Sequence, residues 1–470
     1  MNTRDIQLKR IQPPRGFSDV PPVTLTDATL LERKNKLLAR MQEERFDALV
    51  IYADKEHGSN FEYLTGFIPR FEEGLLVLHK SGHATAILGN ENLKMAAHSR
   101  IPVTLKHCPL FSLPNQPMDN ERPLAQLFSE TGLSAMSKVG LVGWKMFTAA
   151  GSDNAKLFDL PWFIVDAIKQ STHADLVNAA HLFIGGDKGA RTVNNANEIA
   201  HYEYGANLAS RCMLAALDAV EPGIREVDLG ALLAAEGQAP SIVTIAATGQ
   251  RFEKANLYPS WKKVERGQPL SMTTGFKGGL SSRTGFVIAD ESELPENQRD
   301  YLDRVVKPYF GAVMTWLEHI KIGMSGGELY DLVECVLPKA QYGWHLNPGH
   351  LSADEEWMSS PVYPDASETL KSGMIVQIDI IPSVPGYTGV SAEESVALAD
   401  AALQQQIAQD YPDLWARIEA RRTYIRETLH IALSDDVIPL SNAVGYLRPF
   451  MLAKDKALVG EFAAHSTDSP

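Results

Sequence analysis

The sequence has few cysteines, no long apolar run and a shortage of positive charge, and each shortage excludes a class of protein. The three cysteines among 470 residues, Cys108, Cys212 and Cys335, are far apart and show no Cys-x-x-Cys spacing. We therefore expect neither a disulfide framework nor a thiolate zinc site, and a reducing cytoplasm fits this cysteine usage. No stretch of about 18 apolar residues occurs, so we expect no transmembrane helix.

The charge balance also excludes two kinds of partner. The chain has 44 Lys and Arg against 58 Asp and Glu, which gives a formal net charge of -14. Binding to a phosphate backbone or to an anionic membrane surface requires clustered basic side chains, so we expect neither partner. The first residues, MNTRDIQLKRIQPPRG, are charged and interrupted by proline instead of leading into an apolar run. This pattern predicts no signal peptide and therefore a cytoplasmic protein.

The first half of the chain has the pattern of an α/β domain. Residues 1–25 are rich in Pro, Arg and Thr without an apolar period, which predicts a surface arm. A helical pattern at residues 30–44 is followed by β-type runs in DALVIYA (47–53), LLVLH, ATAIL and KVGLVGW (138–144), with KMAAHSR as a further helix. Alternation of strands and helices predicts an α/β layer domain over residues 26–182.

The second half contains one pattern twice, a hundred positions apart. A long helix runs into AVEPGIREVDLGALL (219–233), and another runs into HIKIGMSGGELYDLV (319–333). Each copy has a helix, a glycine-bearing stop and an acid-Leu pair that opens the next helix. Two copies are too few for a solenoid, so we predict a pseudo-twofold domain over residues 183–430, followed by a tail at 431–470.

Strand patterns follow each copy of the repeat. The first copy precedes PSIVTIAATG (240–249) and LSMTTGF (270–276), and the second precedes MIVQIDIIP (374–382) and ESVALAD (394–400). We therefore expect helices outside a curved sheet.

At these positions the sequence resembles the pita-bread hydrolases, the group that contains methionine aminopeptidase, aminopeptidase P, prolidase and creatinase. DALVIYADKEHGSNFEYLTGF is similar to the opening of the creatinase-type amino-terminal domain. LKSGMIVQIDIIP and GVSAEESVAL are similar to the closing strands of the pita-bread domain. The resemblance implies an α/β creatinase-like amino-terminal domain and an α+β pita-bread domain with a pseudo-twofold internal repeat. It also implies a homodimer.

In the peptidases that the chain resembles, two aspartates, one histidine and two glutamates hold two divalent metals. His350 occupies the histidine position, Asp379 replaces the first glutamate and Glu393 occupies the second. The two aspartate positions fall on Thr273 and on either Ser281 or Ser282. A metal pair needs bridging carboxylates to offset the repulsion between the ions, so we do not expect a dinuclear centre. His350, Asp379 and Glu393 still resemble a facial triad for one Mn, Zn or Fe ion, and a site without metal is the alternative.

The same hairpin also resembles that of creatinase, which the resemblance implies works without metal. SSRTGF places Arg283 before Thr284 and Phe286 in the matching arrangement. In such a site His350 or His345 would act as a base, and carboxylates would hold or polarise the substrate. Arg283 is a candidate substrate ligand or a structural ion-pair partner.

Two further positions remain open at this stage. Glu393 and Glu394 are adjacent on a strand and point to opposite faces, so only one reaches the site, and the register favours Glu393 while Glu394 stays a substrate-side candidate. Arg251 lies in a loop where a basic residue could hold a substrate carboxylate, or simply be solvated.

Together these patterns predict a hydrolase that cleaves a C–N bond of a small amide, an Xaa-Pro-like peptide or a guanidino-type substrate, without the usual dinuclear centre. The first alternative is an Xaa-Pro peptidase with a single metal. The second is a non-catalytic protein that binds a small molecule or a partner through the same fold.

Overall fold

A computed structural model describes residues 6–460, which form two compact units. One unit spans residues 25–192, and the other combines residues 6–24 with residues 193–460. The strands of the two units together are β1 (Ile6–Arg10), β2 (Ala48–Ala53), β3 (Gly74–His79), β4 (Ala84–Leu88), β5 (Thr104–His107), β6 (Lys138–Val142), β7 (Asp175–Asn178), β8 (Ile245–Thr248), β9 (Pro269–Phe276), β10 (Gly279–Phe286), β11 (His350–Leu351), β12 (Ile375–Gln377), β13 (Ser391–Glu393), β14 (Ser395–Leu398), β15 (Val437–Pro439) and β16 (Lys456–Gly460). The α-helices of the two units together are α1 (Asp27–Glu43), α2 (Ser59–Thr65), α3 (Leu124–Ser129), α4 (Trp162–Ser171), α5 (His181–Ile184), α6 (Ala196–Ala219), α7 (Glu226–Leu232), α8 (Gln250–Glu253), α9 (Lys307–His319), α10 (Gly326–Val336), α11 (Lys339–Tyr342), α12 (Ala401–Asp410) and α13 (Pro412–Thr423).

The unit at residues 25–192 is an α/β layer structure, as the alternating pattern predicts. Its six strands lie in the order β5-β4-β3-β2-β6-β7, with β3 antiparallel to both of its neighbours. Strands β2, β3 and β4 are buried at every position because their sequences are continuously apolar. The segment KMAAHSR forms a 3-10 helix, Leu93–His98, instead of the predicted α-helix.

The other unit confirms the internal repeat. At the start of helix α7 the Asp228 carboxylate accepts from the backbone N–H of Arg225, and at the start of α10 the Glu328 carboxylate accepts from that of Ser325. Gly223 and Gly323, the equivalent stops, both have positive φ, 100° and 87°. This backbone conformation favours glycine, which explains the repeated residue.

The repeat region contains two four-stranded sheets, and β13, which follows the second copy, joins the strands of the first sheet. The first sheet has the order β13-β10-β9-β8, and the second has the order β11-β12-β14-β15. Strand β8 covers only Ile245–Thr248 of the predicted 240–249, and β12 covers only Ile375–Gln377 of the predicted 374–382. Asp379 therefore lies just beyond a strand and not inside one.

Both ends of the described chain belong to this unit. Strand β1 pairs antiparallel with β16, from Ile6 opposite Gly460 to Arg10 opposite Lys456. The Tyr424 hydroxyl donates to the Gln12 carbonyl, and the Asn207 side chain donates to that of Phe17. Residues 1–5 of the predicted arm and 461–470 of the predicted tail lie outside the described residues. Within residues 6–460, every helix is too short or too polar to cross a bilayer.

Candidate functional site

The site is built on the hairpin β9–β10 and on strand β13 beside it. In the register of these strands Thr273 lies opposite Ser282, and Ser282 lies opposite Glu393. One rung further, Ser271 lies opposite Thr284, and Thr284 lies opposite Ser391. Because side chains alternate along a strand, these side chains share one face of the sheet, which we call the site face. They are Ser271, Thr273, Ser282, Thr284, Ser391 and Glu393.

Five hydroxyls on the site face form one continuous chain of hydrogen bonds. The oxygens of Thr273 and Ser282 are 2.9 Å apart, those of Ser282 and Ser391 3.1 Å, those of Ser391 and Thr284 3.1 Å, and those of Thr284 and Ser271 2.8 Å. We call this chain the hydroxyl ladder. Its members are 5–7% exposed, whereas Thr274 and Ser281 on the opposite face are 0% exposed. The ladder is therefore buried, but it is slightly more open to solvent than the opposite face.

The register decides between the two serines that were candidates for the second aspartate position. Ser282 lies on the site face opposite Thr273 and Glu393. Ser281 points to the opposite face, where its hydroxyl donates to Glu394. Thr273 and Ser282 therefore form the pair that corresponds to the aspartates of the resembling peptidases.

His350 reaches the site from the second sheet. It begins strand β11, lies opposite Gln377, and follows Gly349, whose φ of +152° favours glycine. The Nε2 atom of His350 is 3.6 Å from Oδ2 of Asp379, and Nδ1 is 3.3 Å from the Leu351 carbonyl. Burial lowers the pKa of His350 to about 4, so the imidazole is neutral. A neutral ring that donates from Nδ1 to the carbonyl leaves a lone pair on Nε2.

Asp379, Glu393 and Glu356 share a site that is short of positive charge. Burial, together with the charge of Glu356, raises the pKa of Asp379 to about 7. Burial and then the charges of Asp379 and Glu356 raise the pKa of Glu393 well above its usual range. Within the described chain the buried Oδ1 atom of Asp379 has no hydrogen-bond partner. Such a group costs free energy and points to a functional position.

The opposite face, which we call the core face, carries Arg283 and Glu394. Nη2 of Arg283 is 2.8 Å from Oε1 of Glu394, and both side chains are at most 1% exposed. The guanidinium also donates to the carbonyls of Tyr446 and Ala443 and, from Nη1, to those of Ser282 and Glu393. Glu394 accepts in addition from Ser281 and Ser441. This arrangement favours a structural ion pair, with Glu394 as the partner in place of Asp379 or Glu393.

The other two candidates lie away from the cluster. Nε of Arg251 donates to the buried Glu226 at 3.0 Å, and the same carboxylate accepts from Thr248 and Ser260. Arg251 thereby ties helix α8 to helix α7. His345 is exposed, whereas His350 is 1% exposed.

Several residues of the site were not predicted from the sequence. Ser271 and Ser391 complete the ladder, Glu356 raises the pKa of both carboxyls, and the Trp357 ring lies 5.6 Å from the ring of His350. Hydroxyl residues at alternate positions in SMTTGF and GLSSRTGF are a visible signal for the ladder. The acidic run at residues 354–357 gives no comparable signal, since a loop of this composition is usually solvated.

The donor set can be compared with what a pair of divalent metals requires. Bridging such a pair takes carboxylates, and hard cations prefer them to neutral hydroxyls. The hairpin offers Thr273 and Ser282, whose hydroxyls are bonded to each other. Among residues 6–460, no three His, Cys, Asp or Glu side chains are placed so that together they could hold a metal ion. These residues do not fit a metal pair.

Comparisons with known proteins agree with this architecture. Residues 33–149 match the model of the Creatinase/Prolidase N-terminal domain, and residues 200–400 match that of metallopeptidase family M24. The chain is 26% identical over 224 residues to an Xaa-Pro dipeptidase of Pyrococcus furiosus and 24% identical over 219 residues to one of Pyrococcus horikoshii. These matches cover 45% and 44% of the chain but 62% and 60% of the relatives, less than two thirds of their length.

Solved structures show the same fold. An Xaa-Pro dipeptidase from Bacillus anthracis superposes with a TM-score of 0.60 at 17% identity, over 79% of this chain and 96% of that one. The prolidase of Pyrococcus horikoshii OT3 gives 0.59 at 20% identity over 78% and 95%, and the X-Pro aminopeptidase of Thermotoga maritima gives 0.57 at 17% over 78% and 95%.

An α/β unit joined to a duplicated α+β unit, with the histidine and carboxylates at the meeting point of its two sheets, defines the pita-bread class of proteins. The chain has the architecture of the pita-bread superfamily of prolidase, aminopeptidase P and creatinase, and it matches the models of both the creatinase-type amino-terminal domain and the M24 domain.

Proposed function

We propose that this protein is a hydrolase that cleaves the C–N bond of a small amide, an Xaa-Pro-like peptide or a guanidino-type substrate without a dinuclear metal centre. The proposal rests on one observation, that two parts of the same site carry different chemistry. His350, Asp379 and Glu393 come together, while the hairpin that would complete a metal pair carries Thr273 and Ser282 instead.

The cluster has the groups that such a hydrolysis needs. The neutral His350 takes a proton from the attacking water, whose oxygen forms a bond to the substrate carbon. Asp379, whose pKa is about 7, is present as acid and as carboxylate near neutral pH. The acid form donates its proton to the leaving nitrogen as the C–N bond breaks. Protonated Glu393 donates a hydrogen bond to the oxygen on which negative charge develops.

The low pKa of His350 does not prevent this role. The value near 4 reflects burial of the ring, which disfavours a charged imidazole. Once Asp379 has given its proton to the leaving nitrogen, its carboxylate, with Oδ2 3.6 Å from Nε2, stabilises the imidazolium and takes the proton back from it. The base and its stabilising charge therefore lie side by side.

The comparisons support the substrate class. Relatives named Xaa-Pro dipeptidase act, by that name, on a peptide bond to proline, which is a C–N bond of a small amide. A small-molecule or short-peptide substrate, a cytoplasmic location and a homodimer are parts of the same proposal. Size-exclusion chromatography with light scattering tests the last of these.

A substrate panel tests the activity. Purified protein is incubated with Xaa-Pro dipeptides, primary amides and guanidino compounds, and the released amine or ammonia is quantified. We expect turnover of at least one class by the wild type and its loss in His350→Gln. The variant His345→Gln, five positions away and exposed, is the matched control and keeps its activity. Equal turnover by His350→Gln contradicts the assignment.

One observation favours a second candidate, an Xaa-Pro peptidase with a single metal. The unpartnered Oδ1 of Asp379 lies in a buried site next to an imidazole nitrogen, and Glu393 shares the environment. To hold one Mn, Zn or Fe ion, His350, Asp379 and Glu393 would have to move closer together than they lie here, and the ion would then polarise the scissile carbonyl. Activity that disappears with a chelator and returns with one equivalent of metal selects this candidate. Ligand binding without turnover selects a non-catalytic protein.

A further inference from the structure

Three of the four bonds in the hydroxyl ladder have a defined direction. The Ser391 hydroxyl donates to Thr284, so its single proton is committed to that bond. Ser282 must then donate to Ser391, and Thr273 must donate to Ser282. At the other end the bond between Thr284 and Ser271 can run either way, because Thr284 accepts from Ser391 with one lone pair and keeps a second. Three of the five protons are therefore assigned, those of Thr273, Ser282 and Ser391.

A ladder of this kind keeps the site face folded without any cation. Two aspartates on neighbouring strands repel each other and need positive charge between them. Thr273 and Ser282 are neutral, and each satisfies the other at 2.9 Å. The face thus carries no charge at the position where the superfamily's peptidases need metals to offset it.

We infer that the Thr273–Ser282 rung is a hydrogen-bonded replacement for the metal-bridging pair, and that carboxylates at these two positions would give the chain a dinuclear metal site. The inference rests on the proposed absence of a dinuclear centre and goes one step further. It assigns the loss of the metals to one rung of the ladder.

The strand register explains why the Thr273–Ser282 pair, and not the Ser271–Thr284 pair, decides whether a metal pair can bind. Ser282 lies directly opposite Glu393, so Thr273, Ser282 and Glu393 form one row across three strands. The next row consists of Ser271, Thr284 and Ser391, which ends in a hydroxyl. Both rungs have the same chemistry and nearly the same oxygen separation, 2.9 and 2.8 Å. They differ in their place relative to Glu393.

The test compares two double variants of the full chain. Thr273→Asp/Ser282→Asp places the carboxylates in the row of Glu393, and Ser271→Asp/Thr284→Asp places them one row away. Each protein is titrated with Mn²⁺ in a calorimeter, and the Mn²⁺ spectrum is recorded by electron paramagnetic resonance. We expect two Mn²⁺ per chain with a spin-coupled spectrum for the first variant. The wild type and the second variant bind at most one ion and show no coupling.

Three results overturn the inference or separate it from the proposed function. If the first double variant is folded by circular dichroism and binds no second Mn²⁺, the inference is wrong and the proposed function stands. If the second variant binds a coupled pair equally well, the row of Glu393 has no special role. A coupled pair in the wild type contradicts both the inference and the metal-free site.

A single substitution keeps the test decisive if the double variant does not fold. Ser282→Asp adds one carboxylate beside Glu393, and Thr284→Asp adds one a row away. We expect Ser282→Asp to raise the affinity for a first Mn²⁺ at least about tenfold over that of Thr284→Asp, because carboxylates are the preferred ligands of this ion. Equal affinities overturn the inference.

Discussion

Glu393 and Glu394 are neighbours in sequence, yet the two faces of the sheet treat them in opposite ways. On the core face Glu394 is paired with Arg283 and accepts from two serines. On the site face Glu393 shares its environment with the charges of Asp379 and Glu356. Burial raises the pKa of both carboxyls, but Glu394 has its compensating charge and hydrogen bonds in place.

The difference shows that the core face stabilises the fold, whereas the site face keeps groups that can take part in a reaction. A buried ion pair with every donor satisfied is a structural element, and its guanidinium reaches four backbone carbonyls. A buried carboxyl cluster beside a neutral imidazole costs stability, and such clusters mark functional sites. The account therefore predicts that substitutions on the two faces affect different quantities.

The largest effect is expected for His350. Replacing it with glutamine removes the base while keeping a polar side chain of similar size, so we expect kcat to fall by about 10²–10⁴-fold. The free energy of unfolding should change little, which separates the role in catalysis from one in packing. The assay is steady-state kinetics on the best substrate of the panel, with urea denaturation of the same preparation.

A substitution on the core face should lower the free energy of unfolding by an amount comparable to the catalytic free energy lost in His350→Gln. Arg283→Met leaves Glu394 buried without its cation, and breaking one partner of a buried pair costs about 3–5 kcal/mol. Urea denaturation measures this change in the free energy of unfolding. The double variant Arg283→Met/Glu394→Leu removes both charges and should recover a large part of the loss. A double variant as unstable as the sum of the single variants contradicts a structural ion pair.

The site face should respond to pH through Asp379. Its pKa is raised from 3.8 to about 7, so the native state keeps this proton between pH 4 and pH 7 while the unfolded chain releases it. The native state is therefore penalised increasingly as the pH rises through that window. Asp379→Asn cannot ionise and should gain stability over the wild type, reaching on the order of 2–4 kcal/mol above pH 7.

Thermal or urea unfolding at several pH values measures this difference between the variant and the wild type. His350 acts in the opposite sense, because its pKa is lowered from 6.5 to about 4 and its contribution is lost as the pH falls through that window. The contribution of His350 is present in both proteins, so it cancels in the difference between their free energies of unfolding. A difference that is constant from pH 4 to pH 8 excludes the raised pKa of Asp379.

The smallest effect is expected for Arg251. It bonds Glu226, which keeps donors from Thr248 and Ser260 when the arginine is replaced. Arg251→Met should cost about 1–2 kcal/mol of stability and leave KM unchanged. A rise in KM of about tenfold or more without loss of stability would instead show that Arg251 binds the substrate.

The sequence predicted the fold well because its signals are local and periodic. Continuous apolar runs gave β2, β3 and β4, and the hundred-residue echo at Gly223 and Gly323 gave the duplicated domain. Motif positions also predicted His350, Asp379 and Glu393 as site residues, and in the structure these side chains lie near one another. These residues carry signals that survive in a single sequence.

What the sequence did not show depends on register and on contacts between distant segments. A shift by one residue exchanges the two faces of a strand, so the choice between Ser281 and Ser282 required the pairing with Thr273. The partner of Arg283 and the contribution of Glu356 depend on side chains that meet only after folding.

The account is tested most directly by measuring turnover as a function of metal content. Wild-type protein is prepared with metal contents from none to two equivalents of Mn, Zn or Fe, each verified by plasma mass spectrometry, and kcat is determined for every preparation. The account predicts a kcat that does not depend on metal content. A kcat that rises in proportion to metal and reaches its maximum at two equivalents per chain would contradict it.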